Sequence, residues 1–315
     1  MGSDRSGPVG VERHRVVKLD GADPRLVLGA FHPFGSDPTS RWWPDAFARA
    51  VHTPLGPATV RFRWNPAGEA EATAWGGADA ADWLLASAPR WLGVGDDRSG
   101  WEPARHPGVA ELDRRHRGLR VGASAMVWTE LAPIVLGQRV TTEDAARSWR
   151  RMVAAWGAAA PGPAELELRL GPAPDDVAGR SYVELHRFDV ERRRADSLVL
   201  AARRAGRLEE AATMTPQAAL ARIGALAGLG PWTATSTVIA CHGDPDTVLL
   251  GDFWMPTLVS HAFTGERTRV DDARMLDLLA PFAGHRWRVC RLVLAAGMKL
   301  GRRAPRPAFH RIASI

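Results

Sequence analysis

Hydrophobic and polar positions divide the chain into two differently patterned parts. From Val16 to about Trp75, apolar and polar residues alternate in short runs, most clearly in Ala58-Thr59-Val60-Arg61-Phe62-Arg63-Trp64. A period of two is the mark of a strand with one buried face. Turn-forming residues separate the runs: Pro33, Pro38, Pro54-Leu55-Gly56-Pro57 and Asn65-Pro66-Ala67-Gly68. Residues 58–64 and 69–75 flank the last of these turns and are predicted to pair as a hairpin. The expected unit is a small antiparallel β domain closed by a helix over 78–88. Residues 93–107, rich in Gly, Pro and Asp, are the expected linker.

Beyond the linker the period becomes helical. Thr141 and Asp144 predict a cap for a helix that carries Trp149, Met152, Val153 and Trp156 on one face and stops at Gly157 and Pro161. That aromatic stripe reads as core. Further helices are expected over 190–205, 215–226, 231–241, 252–263, 271–279 and 286–296. The fold class is therefore α+β: a small N-terminal antiparallel sheet with a flanking helix (1–105), then an all-α multi-helix domain (106–315) with a basic C-terminal tail.

Composition narrows the class only slightly. Of 315 residues, 45% are hydrophobic and 24% charged, and no apolar run is long enough to span a bilayer. The first ten residues lack the apolar stretch of a secretory signal. Cys241 and Cys290 are too few for a disulfide framework or a cysteine-based zinc site, so a reducing cytoplasm is expected; the chain is also expected to be a monomer. The net charge of +6 suits a polyanionic partner, although the near-total use of Arg over Lys, which occurs only at 18 and 299, also fits GC-rich coding. Arginines cluster at Arg114, Arg115, Arg117 and Arg120, and again at 192–194. Lys299, Arg302, Arg303, Arg306 and Arg311 form a third basic run. Such runs are solvated helix faces or tails as often as phosphate contacts.

One stretch carries chemistry: Leu226-Ala227-Gly228-Leu229-Gly230-Pro231-Trp232-Thr233-Ala234, between two helical segments. Gly228 and Gly230 allow a tight turn and a close backbone approach, and Pro231 suits the first turn of the helix that follows. The amides at such a helix start suit a phosphate oxygen, but Gly-x-Gly-Pro is also an ordinary helix–helix turn. Asp252, twenty residues after Trp232, leaves a loop at the start of another predicted helix. Alone it reads equally as an N-cap.

Together, hairpin and spaced aspartate resemble the helix-hairpin-helix, Gly/Pro-rich-loop, Asp superfamily of DNA glycosylases. The resemblance covers roughly 120–297. It implies that Asp252 is the catalytic carboxylate and that Gly228, Leu229, Gly230 and Thr233 belong to the DNA-binding hairpin. Bifunctional members place a Schiff-base lysine where this chain has Trp232, and a tryptophan cannot form that adduct. The Pro-Trp-Thr-Ala hairpin and a β domain ahead of the helices are similar to the alkylation-repair branch, 3-methyladenine DNA glycosylase II. That branch implies double-stranded DNA with alkylated bases as partner and no cofactor or catalytic metal. Leu136-Gly137-Gln138-Arg139-Val140 is similar to the family's Gln-containing helix end. It implies that Gln138 lies near the flipped nucleotide or the opposite base, with Arg139 in the wedge position that is usually apolar. Trp232 is a candidate aromatic face for a cationic base, or packing between the hairpin helices. Trp287, in Arg286-Trp287-Arg288, aligns with a Pro-Trp-Arg loop and is a candidate for the base pocket. After Asp252 the family's Leu and basic residues are replaced by Phe253-Trp254-Met255-Pro256. Other readings remain open: a non-catalytic DNA-binding or damage-recognition protein, or a glycosylase for uracil or hypoxanthine.

Overall fold

The computed structural model describes residues 10–32 and 34–297. The third basic run, from Lys299 to Arg311, and Pro33 lie outside the described residues.

Strand β1 (Val11–Lys18) leads into a short helix, α1 (Pro24–Leu28), and four further strands: β2 (Ser40–Trp43), β3 (Ala46–Thr53), β4 (Gly56–Trp64) and β5 (Glu69–Gly76). All pair antiparallel in the order β1-β5-β4-β3-β2. The expected hairpin is β4–β5, with Val60 opposite Ala74, Phe62 opposite Ala72 and Trp64 opposite Ala70. Its small alanines leave room on the same face for α2 (Ala78–Trp91), whose Leu84, Ala88 and Trp91 bury against Val60 and Phe62. Strand β3 is covered on both faces. Phe47 and Val51 face the α2 side, while Ala48 and Ala50 meet Leu166, Leu168 and Leu170 from the helical half of the chain.

The helical part contains α3 (Pro107–Arg115), α4 (Val127–Leu136), α5 (Thr142–Trp156), α6 (Pro174–Ala178), α7 (Tyr182–His186) and α8 (Arg192–Arg203). It continues with α9 (Ala205–Glu209), α10 (Pro216–Gly224), α11 (Pro231–His242), α12 (Met255–Thr264), α13 (Asp272–Leu279) and α14 (Arg286–Ala295). None of the described helices is long and apolar enough to cross a membrane. As the capping pattern predicts, the Thr141 hydroxyl accepts from the Asp144 amide, and Trp149, Met152 and Val153 are buried. Two cores form. One gathers α4, α5, α8, α10 and α11 around Leu131, Val135 and Val238; the other gathers α3, α12, α13 and α14 around Val259, Met275 and Val289. Helix α11 serves both, giving Cys241 to the first and Ile239 to the second.

Residues 93–107, expected as a linker, are tied down. Asp96 is buried in a bidentate pair with the Arg288 guanidinium, whose Nη2 lies 2.8 Å from Asp96 Oδ1 and also donates to the Asp97 carbonyl. A second buried pair, Arg49 Nη1 to Glu130 Oε1 at 2.7 Å, joins the sheet to α4. Removing two charges from water costs several kcal/mol per ion, and the two-pronged contact of each pair offsets it, although the buried Arg49 Nε has no partner among the described residues. One fastens the sheet to the first core and the other fastens the 93–107 strap to the second.

Candidate active site

Helices α10 and α11 and their turn form a helix-hairpin-helix. Gly228 sits at φ +86°, and a Cβ there would lie 1.9 Å from the Ser197 hydroxyl on α8, so only glycine fits. Leu229 turns its side chain into the core, 1% exposed, and its amide donates to the Leu226 carbonyl. Gly230 caps α11 and Pro231 opens it. Among the described residues, the amides of Gly230, Trp232 and Thr233 have no intramolecular partner. They are the orphan donors of a helix N-terminus, where the dipole favours an anion.

Gln138 braces this turn. Its amide nitrogen donates to the Gly228 carbonyl (2.9 Å) and to Thr233 Oγ1 (2.8 Å), which is buried. The helix end that carries Gln138 is held in turn by Arg194, whose buried guanidinium donates to the Leu136 carbonyl at 2.8 Å. Arg139 follows with a left-handed backbone, φ +58°, and projects from the surface. A non-glycine residue there is strained, and surrounding structure must hold it.

Asp252 is reached through a loop fixed at several points. Gly243 ends α11 in the left-handed region, Asp246 accepts from the amides of Gly284 and Arg286, and the Gly251 amide donates to Asp272 Oδ2 at 2.8 Å. Asp252 is held at both carboxylate oxygens. Its Oδ1 accepts from the amides of Trp254 (2.8 Å) and Met255 (2.7 Å), capping α12. Its Oδ2 accepts from Trp232 Nε1 at 2.9 Å. Three donors thus fix the orientation of a half-buried carboxylate.

This carboxylate lines a cleft of about 1730 Å³. One wall comes from the end of α4 and the turn after it, including Pro133, Gly137 and Arg139, and the other from Asp252, Phe253, Trp254, Arg269 and Arg274. The Trp232 indole spans them. Its far corner, Cη2, would lie 3.3 Å from a Cβ on Gly137, while its N–H reaches Asp252. It is therefore not mere packing between hairpin helices.

The structure brings some of the residues singled out in the sequence to the cleft and places others, Gln138 and Trp287 among them, away from it. Asp252, Trp232 and Arg139 share the cleft; Gly228, Gly230, Thr233 and Gln138 lie behind it in the hairpin and its brace. Trp287 does not line the cleft. It is 6% exposed and packs in the second core, because α14 turns Trp287 and Cys290 inward together. Sequence reasoning passed over Arg269, Arg274 and Phe34. The only signal for Arg269 was the Arg267-Thr268-Arg269 run before the acidic start of α13, and Arg274, inside that helix, had none. The arginine clusters also resolve differently: Arg114 and Arg115 pair with Glu111, Arg120 donates to neighbouring carbonyls, and Arg194 is interior.

No family model matches the chain, and no curated protein matches it in sequence. Solved structures do. The 3-methyladenine DNA glycosylase from Archaeoglobus fulgidus superposes with a TM-score of 0.73 at 15% identity, covering 89% of this chain and 97% of that one. An 8-oxoguanine glycosylase/lyase from Clostridium acetobutylicum gives 0.68 at 10% identity, over 91% and 98%. The fold is that of the helix-hairpin-helix DNA glycosylases. A Schizosaccharomyces pombe 3-methyladenine DNA glycosylase bound to abasic DNA shares this fold over 64% of the present chain and 97% of its own, with a TM-score of 0.52 at 15% identity. An antiparallel sheet followed by many helices is the α+β class that the sequence led us to expect.

Proposed function

We propose that the chain is a monofunctional DNA glycosylase of base-excision repair, hydrolysing the N-glycosidic bond of everted alkylated purines such as 3-methyladenine and 7-methylguanine. One observation carries this reading: the Asp252 carboxylate, fixed by three donors, lines a cleft whose spanning indole belongs to the helix that begins with the hairpin's free amides. A base within a duplex is out of reach, so extrusion comes first, at a cost of about a few kcal/mol. The hairpin amides and rim arginines suit phosphates, which set register without reading sequence. Breaking the bond builds positive charge on the deoxyribose, and a preorganised carboxylate stabilises it and can orient the attacking water. Alkylated purines already carry positive charge and leave without a strong acid. The exposed part of the Trp232 face favours a cationic base by roughly 0.5–2 kcal/mol.

The test is release of free methylated bases from alkylated duplex DNA, followed by mass detection. Wild-type protein should release them. Asp252→Asn should not, while still binding the DNA, because an asparagine keeps the carbonyl that caps α12. Trp232→Phe removes the N–H on Oδ2 together with the ring corner that reaches Gly137, and should slow release about 10- to 100-fold. The product should be an intact abasic strand, and a borohydride-trapped covalent adduct would overturn the monofunctional assignment. Binding without release by the wild type would leave a damage-recognition protein instead. Release of uracil or hypoxanthine in place of methylated purines would keep the reaction and change the substrate.

A further inference from the structure

Asp252 is pinned on its C-terminal side by the start of α12, where its Oδ1 takes the amides of Trp254 and Met255. On its N-terminal side stands Gly251, with a left-handed backbone at φ +74°. The Gly251 amide has one partner among the described residues, Asp272 Oδ2 at 2.8 Å, 21 positions further along the chain. Glycine takes positive and negative φ about equally well, so sterics alone do not hold this peptide in one orientation. Gly251 also lies against the first turn of α11, where an added Cβ would come 3.5 Å from the Trp232 Cβ. A turn of its peptide would therefore shift Asp252 against the indole that holds Oδ2. The Asp272 bond supplies the missing constraint.

Two adjacent acids open α13 and do different work. Asp271 caps the helix itself, its Oδ1 accepting from the Arg274 amide at 3.0 Å. Asp272 is left to reach out of the helix to Gly251. The helix behind it is firmly seated: Met275 and Leu279 are fully buried in the core that α12 shares through Val259. Both ends of the Asp252 segment are thus tied to helices packed in one core. Asp272 is half-buried and itself lines the cleft, which gives its carboxylate a second way to act, through its charge.

We infer that Asp272 is a positioning residue for the proposed reaction: its hydrogen bond to the Gly251 amide fixes the backbone that aims the Asp252 carboxylate. This rests on the glycosylase reading above. A carboxylate that stabilises charge on the deoxyribose must stand where that charge develops. A misplacement of about 1 Å costs about 100-fold in rate. What the site needs from residue 272 is an acceptor oxygen at the right place, not a negative charge.

The full chain is compared with its Asp272→Ala and Asp272→Asn variants, each in excess over a duplex carrying one methylated purine. Asp272→Ala should lower the limiting rate of base release about 10- to 100-fold. The enzyme concentration that gives half of that rate should stay within about twofold, because the loss falls on the chemical step. Asp272→Asn keeps a carbonyl oxygen for the Gly251 amide and loses the charge, so it should recover most of the rate. Hydrogen exchange of the Gly251 amide, followed by NMR in the free protein, should be at least about tenfold faster in the Ala variant than in the other two. Alanine is a good helix former and Asp271 still caps α13, so the variant should fold, which its urea midpoint checks. An unchanged rate or unchanged exchange in the Ala variant overturns the inference. So does an Asn variant as slow as the Ala one, which would leave an effect of charge, or a matching loss of affinity, which would leave a contact to the strand. Wild-type protein that releases no base removes the glycosylase reading instead, and the exchange comparison still decides the tether.

Discussion

Arg49, Arg194 and Arg288 lie inside the protein, whereas Arg139, Arg269 and Arg274 stand on the rim of the cleft. The interior three are bonded to carboxylates or carbonyls and join separate elements: sheet to α4, α8 to the end of α4, and α14 to the 93–107 strap. The rim three have no carboxylate within reach among the described residues and are solvated. A guanidinium keeps its charge in either setting, so the environment alone decides its work. Inside, its planar fork replaces water with fixed acceptors; outside, it stays open to a mobile anion. The comparison teaches that runs of arginine in sequence are a poor guide to phosphate contacts here. The adjacent ones neutralise local acids, and the open ones are far apart along the chain.

The contrast can be broken experimentally. Its largest expected effect is Arg288→Ala, which strands the buried Asp96 and should cost about 3–5 kcal/mol of stability by denaturant unfolding. Asp96→Asn gives a milder version should the first variant not fold. A loss below roughly 1 kcal/mol would show that the strap does not need the pair. Next, replacing Arg139, Arg269 and Arg274 by alanine, singly and together, should leave unfolding nearly unchanged. For every phosphate that one of these side chains neutralises, its replacement should reduce the slope of log affinity for DNA against log salt by about 0.9. An unchanged slope in the triple variant would remove the rim from the DNA interface. Smallest is Arg115→Ala. Its exposed pair with Glu111 should be worth about 0.3–0.5 kcal/mol and vanish in high salt, with no change in the DNA salt slope. A changed slope would mean that the clustered arginines touch DNA after all.

The parts of this molecule that could be read from sequence are those governed by near neighbours. The β4–β5 hairpin follows from alternation around Asn65-Pro66-Ala67-Gly68, α5 from Thr141, and the α10–α11 turn from Gly228 and Pro231. The closeness of Asp252 to Trp232 could be read only as a spacing; the bond itself depends on a loop anchored by Asp246 and Asp272. What failed needed distant partners. Nothing near residues 93–107 announces that Asp96 meets Arg288, and a Gly- and Pro-rich composition does not distinguish a free strap from a tethered one. Trp287 was misplaced because a local motif fixes neither the rotation of a short helix nor which face its core claims. Phe253 and Trp254 were visible as a departure from the family pattern, but their exposure is a property of the folded cleft.

Gln138 clasps the hairpin across ninety residues of chain, and Arg139 is its immediate neighbour. In an enzyme working as proposed, a side chain entering the base stack and the amides seizing the adjacent strand would then belong to one stiff body. Pushing on one would load the other through two short bonds. Prying the helix open and keeping hold of it would become a single motion, geared by a carboxamide rather than by any hinge.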